Sequence, residues 1–316
     1  MSDLDRAMQA VIHECLGITE GEEVLVVANP ATIGLGERLR AEASEAGADA
    51  VLALMKERPT HGAEPPNTVA AAMAAADVAL IPTVQSLSHT AARRGATEAG
   101  TRVATLPGVT EDMLARVMSA DVAEVRRRSA AVAEALTRAS EAHITCAIGS
   151  DLRIGLTGRD GIADSGDVRS PGAFGNLPGG EGFIAPLEGT SEGKLVVDGS
   201  IAGLGVLESP VEMTIESGHL RSAEGKVGVR LMEILSHGGE GGTNVAELGI
   251  GTNEKATLTG HILEDEKILG TCHVAFGASA GIGGTVQVPV HIDCVVTRPE
   301  ITVDGELLLR SGELLV

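Results

Sequence analysis

The chain has no tryptophan, no tyrosine and only three phenylalanines, Phe174, Phe183 and Phe276. Stacking platforms for single-stranded nucleic acid are therefore not available to it. Basic charge is scarce as well: 24 Lys and Arg stand against 44 Asp and Glu, a formal net charge of −20. Phosphate backbones are bound by clustered Lys and Arg, so no nucleic-acid partner is expected. No apolar run is long enough for a membrane-spanning helix, and no membrane association is expected. The first residues are acidic and lack the basic start and apolar middle of a signal peptide. The four cysteines, Cys15, Cys146, Cys272 and Cys294, form no CxxC pair, which argues against a structural zinc knuckle. They are expected as reduced thiols in a cytoplasmic protein.

Apolar content and glycine are plentiful. With 316 residues, 43% of them hydrophobic, and 41 glycines, the chain can build two cores. Two domains are expected, 1–142 and 143–316. In the first, apolar runs at 24–28, 49–55, 77–81 and 102–106 alternate with helical patterns at 33–47, 67–76 and 89–99. That alternation predicts an α/β fold, an open parallel sheet with covering helices. No GxGxxG follows the first strand, which weakens any dinucleotide reading. Residues 110–142 read as helix throughout, a connector to the second half. From 143 onward the strands become short and Gly-bounded, at 152–157, 194–201, 211–216, 219–222, 255–263, 271–276, 286–297 and 299–309, with one helix at 227–236. This predicts a C-terminal mixed, β-rich α/β domain carrying the metal site. Asp304-Gly305 fits a hairpin turn.

The chemistry concentrates near the C-terminal end. His291 and Asp293 stand two apart in a β-branched run, and residues two apart on a strand share a face. With His273 and one more carboxylate they make a donor set suited to Zn, Co, Mn or non-haem Fe. Pro178-Gly179-Gly180 forms a tight turn that presents Glu181. Glu247 sits in an otherwise apolar strand start, a costly place for a carboxylate unless it is paired or bound to metal. Glu264-Asp265-Glu266 reads as a turn of solvated charge, with Glu266 close enough in sequence to support the metal ligands.

Four segments carry a family resemblance: Asn-Leu-Pro-Gly-Gly-Glu at 176–181, Glu-Leu-Gly-Ile-Gly-Thr-Asn at 247–253, Glu-Lys-x-x-Gly-Thr-x-His-x-Ala-Phe-Gly at 266–277 and His-x-Asp at 291–293. In their order they resemble the thermophilic-type leucyl aminopeptidases, the family of aminopeptidases T and S, while the N-terminal half matches in general layout only. The resemblance implies a homodimer and two divalent ions, Zn or Co, held by Glu181, Glu247, His273, His291 and Asp293. Glu181 and Glu247 would then be catalytic as well as ligands. It implies a hydrolase in which a metal-activated water attacks an amide carbonyl of a short peptide or small amide. Two features depart from that family. The stretch Ala278-Ser279-Ala280-Gly281 lacks the tyrosine usual after the His-x-Ala motif, and the segment between His273 and His291 is short. The same fold also resembles 2,5-dihydroxypyridine dioxygenase, which implies the alternative of one Fe(II) on His273, His291 and Asp293 and cleavage of a ring.

One further candidate lies in the first half. Ser86-Leu87-Ser88-His89-Thr90 follows the third strand, and strand C-terminal ends in open α/β sheets face the ligand crevice. His89 and Arg93 are therefore candidate substrate contacts. The competing explanation is an ordinary helix start capped by Ser88.

Overall fold

The structure is a computed structural model that describes residues 1–316. The chain forms two compact units, one of residues 1–122 and 166–179, the other of residues 123–165 and 180–316. No helix is long and apolar enough to cross a membrane.

The first unit holds a five-stranded parallel sheet in the order Asp49–Leu54, Glu23–Ala28, Val78–Ile81, Arg102–Thr105, Phe174–Asn176. Its inner strands are buried along their length, as the unbroken apolar runs require. Helices Ile33–Glu45, Asn67–Ala75 and Ala91–Glu98 fall where the sequence places them. The cap of the last is Thr90 rather than Ser88: its hydroxyl accepts from Arg93 N at 3.2 Å. Ser88 instead hydrogen-bonds Thr105 across the sheet at 2.8 Å.

The continuous helix expected over 110–142 is broken. Helix Glu111–Val117 ends where Ser119 turns its hydroxyl back onto Arg116 O, and helix Val122–Arg138 follows. Glu141–Thr145 is a strand, with the alternating burial of a half-covered sheet.

The second unit contains an eight-stranded and a seven-stranded sheet. One apolar cluster joins side chains of both, with Val132 and Leu136 of helix Val122–Arg138 and Leu231 and Leu235 of helix Gly225–Ser236. The seven-stranded sheet carries the site. Its central strands are Glu181–Ile184, Val245–Gly251, Cys272–Gly277 and His291–Val296, all antiparallel neighbours.

Several expected strands are shorter or absent. The strand expected over 194–201 divides at Asp198, whose carboxylate leaves the ladder to accept Thr297 N and Oγ1. The strand expected over 286–297 shrinks to His291–Val296. Residues 255–263 form no strand. Asp265 draws that segment into a loop by accepting Thr259 N at 2.7 Å, Gly260 N at 2.9 Å and Ser200 Oγ at 2.6 Å. Glu264 and Asp265 are thus buried and paired, not a solvated turn.

The hairpin turn at Asp304-Gly305 is present, with both residues at positive φ. Asp304 also accepts Ser140 N at 2.9 Å and Glu141 N at 3.0 Å, which adds a tie to its turn role. Asp304→Ala should lower stability by about 1 kcal/mol and leave metal content unchanged. Thermal melts paired with metal analysis check both halves of that expectation.

Candidate metal centre

The ladder register gathers the polar side chains on one face of the seven-stranded sheet. Ala275 lies opposite Asp293 and Gly277 opposite His291. Across the other edge, Gly249 lies opposite His273 and Ala275 opposite Glu247, after a bulge between Val245 and Glu247. Gly251 then pairs with Glu181, and Glu181 with Asp164. Side chains alternate along a strand, so His273, His291, Asp293, Glu247, Glu181 and Asp164 all project to the same side. The opposite side carries Leu248, Ile250, Cys272, Val274, Phe276, Cys294 and Val296, all in the apolar cluster. Cys272 and Cys294 therefore face the core, as the alternation predicts. Phe276 faces the core too.

Small residues between the ligands give them room. A Cβ on Gly249 would lie 2.1 Å from His273 Nε2, so the imidazole lies directly over that glycine. A Cβ on Gly251 would lie 2.0 Å from Ile268 O. At Gly180, φ is +143° and a Cβ would meet that of Asn253 at 2.6 Å, which explains the glycine before Glu181. Gly249→Ala should displace the His273 ring and lower the divalent-metal content of the protein. Elemental analysis of the purified variant reads this directly.

The donor atoms converge in two groups. Glu181 Oε2 and Glu247 Oε1 lie 3.2 and 3.3 Å from His273 Nε2. Glu247 Oε2 and Asp293 Oδ1 lie 3.3 and 3.5 Å from His291 Nε2. Donors on adjacent vertices of a tetrahedron with metal bonds of about 2.0–2.1 Å are roughly 3.3 Å apart. The imidazole-to-carboxylate distances in both groups match that spacing, and Glu247 contributes one oxygen to each. Glu181 Oε2 is buried without a hydrogen-bond donor, as an atom reserved for an ion would be. His291 Nδ1 lies 2.7 Å from Ala278 O, which fixes the tautomer that donates there and leaves Nε2 to bind a metal. The donors thus fit divalent ions: Glu181, Glu266 and His273 offer atoms within 4.8 Å of one another, and so do Glu247, His273 and Asp293.

The electrostatics point the same way. Burial by itself disfavours protonated His273, but Glu181 and Glu247 override it and hold the ring well above its ordinary pKa. His291 is likewise raised, with Asp293 and Glu247 outweighing burial. Burial would raise Glu247, yet the two imidazoles hold it far below the usual carboxylate range. Asp293 is lowered against burial mainly by His291. Glu266 is pushed up to about 8 by burial, Lys267 pulling the other way and Glu181 and Asp293 adding to the rise. Negative charge is in excess, and both nitrogen positions attract cations.

The structure thus brings together Glu181, Glu247, His273, His291 and Asp293. Sequence reasoning missed Asp164, which lies in a short strand without a motif, and Lys267. Lys267 stands inside the quoted Glu-Lys segment, and a lysine in a run so rich in Gly and apolar residues was the available signal. His89 and Arg93 belong to the first unit. His89 is exposed. Arg93 donates Nε–H to Ser88 O at 2.7 Å, and its guanidinium sits 4.2 Å from the Phe174 ring centroid. Much of that side chain is therefore engaged in holding the end of the sheet.

A family model described as NicX, 2,5-dihydroxypyridine 5,6-dioxygenase, matches residues 4–316. The chain is 23% identical over 258 residues to 2,5-dihydroxypyridine 5,6-dioxygenase of Pseudomonas putida, covering 77% of this chain and 72% of that one. The structure of the 2,5-dihydroxypyridine dioxygenase from Pseudomonas putida KT2440 superposes with a TM-score of 0.87 at 19% identity, over 100% of this chain and 98% of the other. AmpT from Thermus thermophilus superposes with a TM-score of 0.73 at 20% identity, over 99% of each chain. At these identities the two superpositions show a shared fold.

Proposed function

The chain belongs to the 2,5-dihydroxypyridine 5,6-dioxygenase family, and within it we propose a member that works as a metal-dependent hydrolase with two divalent ions. Glu181 Oε2, Glu247 Oε1 and His273 Nε2 would hold one ion, and Glu247 Oε2, His291 Nε2 and Asp293 Oδ1 the other. The observation that carries this reading is Glu247, whose two oxygens reach one imidazole each at 3.3 Å. When bound, such a pair of ions lowers the pKa of water and polarises a carbonyl oxygen.

The protein's own groups do the rest. Glu247 ties the two positions together. The Ala278 carbonyl holds the His291 ring in register. Surplus carboxylate charge favours a substrate with a free amino group. No tyrosine is present to donate a hydrogen bond to a developing oxyanion. A narrow range of small amides or short peptides is therefore expected, with weak turnover of ordinary aminoacyl substrates. A homodimer is also expected, which light scattering in solution checks.

A second reading follows from the family match over nearly the whole chain. One Fe(II) on His273, His291 and Asp293 would serve ring cleavage of a hydroxylated pyridine. Metal analysis and two assays separate the readings. About two Zn or Co per chain and hydrolysis within a panel of aminoacyl arylamides, dipeptides and cyclic amides support the hydrolase. One Fe per chain, oxygen uptake on 2,5-dihydroxypyridine and silence on the amides would replace it with the dioxygenase.

A further inference from the structure

Lys267 is fully buried, a rare place for an ammonium. Its Nζ sits among three carboxylates: Glu181 Oε1 in a short contact, Glu266 Oε1 at 2.7 Å and Asp164 Oδ2 at 3.2 Å. Burying an ammonium costs several kcal/mol unless charges and hydrogen bonds compensate it. Here two of its N–H groups donate to carboxylate oxygens, those of Glu181 and Glu266, and Asp164 adds an ion pair. The backbone beneath it is fixed as well, because Asn253 N donates to Lys267 O at 2.9 Å and Leu269 N donates to Asn253 O at 3.0 Å. With no accessible surface, Lys267 cannot reach a substrate directly.

Glu181 is therefore divided. One oxygen belongs to the lysine and the other faces His273. A carboxylate left to itself can swing, offer both oxygens to one ion, or turn away. We propose that Lys267 is a positioning residue of the centre, whose hold on Oε1 commits Glu181 to bind an ion through Oε2 alone. The proposal rests on the two-ion reading above, because it concerns the position built on Glu181 and His273. The ammonium also balances Asp164 and Glu266, which would otherwise compete with that position for ions. It makes no contact with His291 or Asp293 among its ion pairs, so the second position should not depend on it.

Two variants of similar length separate positioning from filling. Lys267→Gln keeps N–H donors for Glu181 without the charge, and Lys267→Met keeps the volume without donors. Zinc binding to metal-free protein is followed by calorimetry and elemental analysis. The Met variant should bind zinc at the Glu181 position about 10- to 100-fold more weakly, the usual effect of removing a group that orients a ligand. The Gln variant should stay within about 3-fold of wild type there, a partial rescue well inside that range. The other position should be unchanged in both. Should Lys267→Met not fold, the same comparison in a Glu266→Gln background removes one of the uncompensated carboxylates. Two ions in wild type with equal zinc affinity in the Met and Gln variants would overturn the role of Lys267 alone. A wild-type chain that loads one ion only would overturn the two-ion reading itself.

Discussion

Glu247→Ala should empty both metal positions at once, the largest single-residue effect expected in this protein. Each position would keep two donors, Glu181 with His273 and His291 with Asp293, Glu266 being held by Lys267 at 2.7 Å, and two donors rarely hold Zn or Co in competition with water. Glu181→Ala and Asp293→Ala should each empty one position, because Glu181 ion-pairs with His273 and Asp293 with His291. The three variants together therefore distinguish a shared ligand from separate ones. Hydrolysis by Glu247→Ala should fall on the order of 10³-fold or more, since the ions supply several kcal/mol of charge stabilisation. Circular dichroism should show an intact fold, because His273 keeps Glu181 and His291 keeps Asp293 as a partner. Wild-type metal content in Glu247→Ala would remove the bridging role.

Chelation should change thermal stability strongly at alkaline pH and weakly at acid pH. In the metal-free chain His273 and His291 have folded pKa values raised above their unfolded ones. Their contribution to stability is complete below about 6.5, the unfolded value, and is lost as pH rises through the folded values. Glu247 and Asp293 are depressed, so their contribution is present above the ordinary carboxylate range and is lost as pH falls through the folded values. Metal binding replaces the two imidazolium protons and should release about two protons per chain near neutral pH. Ions at 1,000 times their dissociation constant stabilise a chain by about 4 kcal/mol, so melting should drop by several degrees when a chelator is added at pH 8. At pH 5 protons compete for the same nitrogens and the drop should shrink. Calorimetry in buffers of differing ionisation enthalpy counts the protons, and melts with and without chelator give the stability. Melting points indifferent to chelator across this range would contradict the account.

The parallel sheet was legible because buried strands write themselves as unbroken apolar runs, and Val24–Ala28 and Val78–Ile81 do so. The convergence of the five candidate ligands was legible because His-x-Asp spacing and the quoted motifs single them out, and the ladder register aligns them on one face. The short strands Ile162–Asp164, Phe174–Asn176 and Glu181–Ile184 escaped notice because they lie among glycines and lack alternation. Residues 255–263 misled in the other direction: their apolar and threonine content suits a strand, but Asp265 binds the loop backbone more effectively than a neighbouring strand would. Lys267 was hidden for a similar reason. Its neighbours in sequence say nothing of Asp164 and Glu181, which the fold brings from far along the chain to its ammonium.

Glu247 is proposed to join two cation positions. Anomalous diffraction at the zinc edge from crystals grown with zinc locates the ions without reference to activity. The expected result is two peaks flanking the Glu247 carboxylate, one against Glu181 and His273 and the other against His291 and Asp293. A single peak among His273, His291 and Asp293, with none at Glu181, would contradict it.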